Sequence, residues 1–173
     1  SDEAGHIFLN MQSLNILLKF DAQTLKLLAT WPTAPCGLPS SMDMDRAHNR
    51  IFIGCRSGAM AVVDADTGKV VATHPIGTHV DAAEFDPATG LVYFSTADDG
   101  ALWIYHEDTP NTYSLVQTAK TQAGARTMAL DHKTKRVYLA VADLGPIPAA
   151  TPQTPRPRAP IIPGTFCVLV MGR

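Results

Sequence analysis

Cysteine is scarce in this chain, with three in 173 residues. That excludes a dense disulfide framework, and their spacing fits no zinc-binding pattern. No apolar run approaches the ~18 residues needed to span a bilayer. Neither sign of charge dominates: 14 basic side chains stand against 16 acidic ones, for a net charge of −2. The broad basic surface of a nucleic-acid-binding protein is therefore missing. No stretch of three turns carries the periodicity of an amphipathic helix. The chain also has no phosphate-binding glycine loop, dinucleotide fingerprint, nucleophile elbow or His-Glu-x-x-His pair. General disorder is excluded too, because 46% of the residues are hydrophobic and only 17% are charged, enough for a core.

What is present is repetition. "LKFDAQTLKLLATWP" at Leu18–Pro32 returns as "VVDADTGKVVATHP" at Val62–Pro75, with Asp21 and Asp64 standing 43 residues apart. A second phrase occurs three times: "DRAHNRIFIG" from Asp45, "DPATGLVYFS" from Asp86 and "DHKTKRVYLA" from Asp131. Each opens with an Asp in a polar turn, and an aromatic residue follows seven positions later: Phe52, Tyr93, Tyr138. Asp2, Gly5 and Ile7-Phe8 give a shorter version at the start. "RIFIGC", "LVYFST" and "RVYLAV" are rich in β-branched and aromatic residues and bounded by turn residues, the mark of strands. In "DADTGK", Asp64 can bond the turn backbone and Gly68 can take the positive φ that a bulged hairpin requires. Leu25 stands where Gly68 would be in the first copy, so that turn needs another geometry or carries strain. In the third copy "HEDTPNTYS" reads as a longer connection.

Four short strands per 41–45 residues predict an all-β β-propeller. A lone four-stranded sheet buries one face well. Sheets stacked face to face bury both, so the phrase must recur. Val62, Val70, Leu102 and Ile104 are expected in that inter-blade core. With strands lettered A (inner) to D (outer), residues 2–34 supply strands B to D of one blade. Residues 35–77 and 78–120 supply two full blades, and 121–173 supply strands A to C of a last one, with a Pro-rich insert at 144–164. Only about 3.75 blades are visible, whereas a propeller ring closes with typically 4–8. The expectation is therefore the C-terminal half of a protein of about 300 residues or more, at ~43 residues per blade. Its first partners are the missing N-terminal blades, which supply the last strand D.

The run "NRIFIGCRSGAMAVVDADTGKVVATHPIG" resembles the YVTN repeat of bacterial YncE-like β-propellers. Phe52, Val63, Asp64, Thr67, Lys69, Val70, Val71 and Gly77 fall on that pattern, while "IFIG" and "VYFS" replace its name-giving letters. No Trp-Asp dipeptide occurs, so the chain is less similar to WD40 proteins. The resemblance implies a seven-bladed ring in a periplasmic or secreted protein.

The repeat also serves as its own control: positions that agree between blades are structural, and those that differ at the channel mouth are free to recognise something. Ser40, Asp81 and Arg126 are equivalent and differ in charge. His79 lies two residues before Asp81, and Arg56 and Asp98-Asp99 fall in B–C loops on the same face. They are candidates for binding a protein, a peptide or a small ligand, or else solvated rim residues and local salt bridges. His79 and Asp81 are too few for a metal site, and a third ligand would have to come from Asp98, Asp99, His106 or other blades. No metal and no cofactor is expected. His48 and His132 read as exposed turn residues, and His74, aligned with Trp31, as packed at the blade edge. Cys36 and Cys55 fall on one face, either as a disulfide marking an oxidising compartment or as two thiols. Cys167 reads as a small buried hydrophobe. The insert, with seven prolines, is a rim loop or a recognition peptide headed by Arg156 and Arg158.

The expected function is a non-catalytic periplasmic or secreted propeller that binds at the channel mouth. The alternatives are a metal-dependent lactonase or esterase, or the propeller subunit of a quinoprotein dehydrogenase complex.

Overall fold

The structure is a computed structural model and describes residues 1–172. It is a β-propeller array of four antiparallel sheets whose strands follow one another in chain order. The first sheet holds β1 (His6–Met11), β2 (Ile16–Asp21) and β3 (Leu27–Pro32). The second holds β4 (Pro39–Asp45), β5 (Arg50–Cys55), β6 (Ala59–Asp64) and β7 (Val70–Pro75). The third holds β8 (Val80–Asp86), β9 (Leu91–Thr96), β10 (Ala101–Thr109) and β11 (Thr112–Lys120). The last holds β12 (Thr127–Asp131), β13 (Arg136–Val141) and β14 (Cys167–Met171). The inner strands lie side by side, β4 beside β8 and β8 beside β12. Among the described residues the only helical element is a 3-10 turn at Gln12–Leu14.

Strand alternation divides each sheet between two neighbours. On β5, Ile51 and Ile53 pack toward the first sheet with Leu17 and Met44, while Phe52 between them faces the third sheet with Phe85 and Phe94. Val63 and Val62 on β6 part in the same way. Leu102 and Tyr93 carry the third interface, against Met128 and Leu139. Each fully buried Phe or Leu contributes about 1.5–3 kcal/mol, so each of the two middle sheets depends on both neighbours. Val62 and Leu102 are fully buried; Ile104 packs half-buried beside Leu102, and Val70 packs half-buried at the interface of the first and second sheets. The two end sheets each keep one open face. Ile7 and Leu9 on β1, and Val168 and Val170 on β14, are 38–52% exposed.

The hairpin turns repeat in atomic detail. Asp64 Oδ1 accepts from the Asp66 and Thr67 amides (3.1 and 2.9 Å) and the Thr67 hydroxyl (2.8 Å). Asp21 Oδ1 accepts from Gln23, Thr24 and the Thr24 hydroxyl in the same way. Leu25 adopts φ 54 where Gly68 has φ 73. The first turn thus keeps the shared geometry and carries the strain of a left-handed leucine.

Two sequence readings are corrected here. "HEDTPNTYS" is not a longer connection: β10 and β11 extend to Thr109 and Thr112, so most of it belongs to the strands and only Pro110-Asn111 turn. Cys167 is exposed, not buried. It opens β14, the edge strand of a sheet with no further blade against it.

Candidate functional site

The loops between sheets and those joining second to third strands gather on one face. The Arg56 amide donates to Leu38 O (3.0 Å), and Gly124 N donates to Ala97 O (2.9 Å). A Cys36–Cys55 disulfide, with Cα atoms 5.6 Å apart, ties the loop entering β4 to the end of β5. Cys55 immediately precedes Arg56, so the crosslink fixes the backbone that carries this guanidinium.

Two inner strands break register on this face. Pro39 pairs with Cys55 and Ser41 with Gly54, which leaves Ser40 as the extra residue. Val80 pairs with Thr96 and Ala82 with Ser95, which leaves Asp81. A bulge turns the extra side chain out of the ladder. Arg126 occupies the equivalent place just before β12. The outcome is one carboxylate shared by three sheets. Asp81 Oδ1 meets the Arg56 guanidinium at 2.9 Å, and Oδ2 meets Arg126 Nε at 2.9 Å. Ser40 Oγ lies 3.5 Å from Oδ1. Arg56 and Asp81 are about one-quarter exposed, and Arg126 nearly half. Arg56 Nε is buried and has no hydrogen-bond partner.

His79 has φ 53, a left-handed conformation shared by its equivalents Leu38 (φ 56) and Gly124 (φ 88). That backbone position belongs to the fold, and the imidazole is what this blade adds to it. The His79 ring pairs through Nδ1 with Asp98 Oδ2, which also accepts from Thr78 Oγ1 at 2.8 Å. The Thr78 hydroxyl, and then His79, hold the Asp98 carboxyl below its ordinary range. Asp99 accepts from Trp103 Nε1 at 3.1 Å and fills the space beside Gly77, where a Cβ would come within 2.2 Å of its Oδ2. Asp99 therefore has a structural job, and a larger residue at position 77 would have to push its carboxylate aside.

His79 and Asp81 do not share a site: the first faces Asp98 and the second is held by two arginines. The face offers guanidinium donors, a carboxylate and an imidazole–carboxylate pair, with no nucleophile and base in line. Charged hydrogen bonds of this kind are the stronger class. His74 packs at the blade edge, tilted against Tyr105 (5.4 Å between ring centres) and edge-on to Tyr113 (6.2 Å). The Pro-rich insert leaves the same face from β13 and is closed at its base, where Gly145 N donates to Pro160 O (2.8 Å) and Ile162 N to Asp143 O (2.9 Å). Arg156 and Arg158 lie out on this loop.

No protein-family model and no curated protein matches the sequence. Solved structures match the fold. Hydrazine synthase of Kuenenia stuttgartiensis superposes with a TM-score of 0.75 at 16% identity, over 85% of this chain and 42% of that one. A chain of the mitotic checkpoint complex superposes with a TM-score of 0.68 at 14% identity, over 80% of this chain and 43% of that one. The chain thus spans less than half the length of either neighbour, and what they share with it is the β-propeller architecture.

Proposed function

We propose that this chain is the binding half of a larger YVTN-type propeller, which takes a carboxylate-bearing peptide or protein segment at the channel mouth. The observation that carries the reading is Asp81 held between Arg56 and Arg126. Two guanidiniums on one carboxylate leave donors unspent, and planar guanidinium donors suit an incoming carboxylate. The open end faces at Ile7–Leu9 and Val168–Val170 support further blades as the first partner. The Cys36–Cys55 crosslink supports an oxidising, periplasmic or secreted setting.

The test is a binding titration of purified protein with labelled acidic, neutral and basic peptides of equal length. Acidic peptides are expected to bind best, and the preference is expected to vanish in Arg126→Ala. Equal binding of all three classes, or a preference untouched by Arg126→Ala, would overturn the reading. A second reading is the propeller subunit of a quinoprotein dehydrogenase complex, with which the shared fold is compatible. Fold alone cannot choose between them, and co-purification with a cofactor-bearing subunit would favour the second.

A further inference from the structure

The face opposite the channel mouth carries the aspartate turns, and these compare blade against blade. Asp45, Asp86 and Asp131 open equivalent turns, and four residues on stand Asn49, Gly90 and Lys135, all left-handed at φ 54, 66 and 59. Asp86 is 1% exposed. The next blade's turn neutralises it: Lys135 Nζ reaches Asp86 Oδ1 at 2.8 Å. One junction earlier, the residue in the lysine's place is Gly90, which has no side chain to reach with. The buried Asp45 faces Glu107 of β10 and its own turn's His48 instead. One ligand atom from each of the three lies within 4.8 Å of the others. Here a cleft of about 320 Å³ opens, lined also by Phe85, Pro87 and Gly90.

Arg50, which follows the same turn, is committed elsewhere. Its Nη1 donates to Asp64 Oδ2 (2.8 Å) and to the carbonyls of His48 and Asn49, and its Nε to Pro110 O. The repeat also shows that His48 is not needed to close its turn. Thr89 and Thr134 occupy that position in the next two blades, and their hydroxyls bond Asp86 and Asp131 at 2.7 and 2.6 Å. In the second blade the His48 imidazole takes the threonine's place on Asp45 Oδ2, which puts a ring nitrogen where two carboxylates meet without the lysine.

We propose that Asp45, His48 and Glu107 bind a divalent ion of the zinc class, which does between the second and third sheets what the Lys135 ammonium does between the third and fourth. Two carboxylate oxygens and one imidazole nitrogen are a zinc-class donor set, whereas calcium and magnesium prefer oxygen alone. Bonds of about 2.0–2.2 Å require the three groups to draw together. The half-exposed His48 side chain has room to turn.

The experiment is calorimetric and thermal titration of tag-free, chelator-treated protein with Zn²⁺ and Mg²⁺. One Zn²⁺ per chain and a raised melting temperature are expected, with little response to Mg²⁺. Gly90→Lys copies the neighbouring blade, whose own lysine already takes this backbone conformation. It is expected to keep its melting transition and lose Zn²⁺ binding. His48→Thr, the repeat's own alternative, is expected to weaken binding about tenfold or more. The proposal is overturned if the parent binds no stoichiometric Zn²⁺, or if either variant, still melting cooperatively, binds as the parent does.

Discussion

Trp31 covers Gly68. The indole on the outer strand of the first sheet rests on the hairpin turn of the second, and a Cβ built on Gly68 would stand 2.1 Å from ring carbons. Lys19 of the first sheet completes the joint, with Nζ 5.9 Å from the Trp31 ring centre and 3.0 Å from the Ala65 carbonyl. The equivalent Leu25 has no sheet over it and is 68% exposed. Substitutions at these two matched positions should therefore have opposite signs. Gly68→Ala adds a clash to a left-handed backbone and is expected to cost about 2–4 kcal/mol. Leu25→Gly relieves strain without losing packing and is expected to stabilise by about 0.5–1 kcal/mol. Urea denaturation of both variants reads this directly. A destabilised Leu25→Gly would show that its side chain packs against something that the fold places elsewhere.

The repeat made the turns and strands legible. An Asp followed by alternating β-branched and aromatic residues encodes a local structure, and its recurrence encodes the stacking. What the pattern could not carry is anything that depends on one sheet meeting the next. The bulges at Ser40 and Asp81 insert one residue each, and a period of two does not register a single insertion. The Arg56–Asp81–Arg126 link follows from those bulges, so the residues were visible as candidates while their pairing was not. His48 is the exposed turn residue that the sequence suggests, while its approach to Glu107, which comes from the next blade, is what the repeat could not show. Cys167 was misplaced for a related reason: strand composition announces a strand and says nothing of whether its face is covered.

The crosslink at the channel mouth should be worth about 3 kcal/mol. Cys36 and Cys55 close a loop of 19 residues, and a loop of that size removes about this much chain entropy from the unfolded state. Cys36→Ala/Cys55→Ala is expected to lose that amount in denaturant titrations and to become insensitive to reductant. The parent should fall to the same stability when reduced. Parent stability unchanged by reduction would mean that the bond contributes nothing in solution.

The Asp86–Lys135 pair makes one inter-blade joint dependent on pH. Burial alone would raise the Asp86 carboxyl, but hydrogen bonds from Lys135 and Thr89 overcome it and hold the group below its ordinary range. A carboxylate depressed in the folded state adds stability above its unfolded pKa, about 3.9, and loses it as pH falls through the lower folded value. Lys135→Met is expected to cost about 1–2 kcal/mol at pH 7, since the ammonium is partly exposed and solvent moderates the pair. The gap between parent and variant should shrink below about pH 4 as Asp86 is protonated. Stability curves recorded across that range would reject the pairing if the gap stayed constant.

At the channel mouth, stability and recognition should respond to different residues. Arg126 is nearly half exposed, and its loss leaves Asp81 still paired with Arg56. Arg126→Ala is expected to move stability by less than about 0.5 kcal/mol, yet to weaken acidic-peptide binding about tenfold, as removal of a charged hydrogen bond does. Asp81→Asn acts the other way. It keeps the shape but removes the internal carboxylate that competes for both guanidiniums, so acidic peptides should bind more tightly. It should also cost stability, because Arg56 is three-quarters buried and its Nε already lacks a partner. A merely structural ion pair would give no such split: both variants would weaken the fold, and neither would change peptide preference. Binding isotherms and melting curves on the same two proteins therefore decide whether this three-sheet link serves a ligand or only the scaffold.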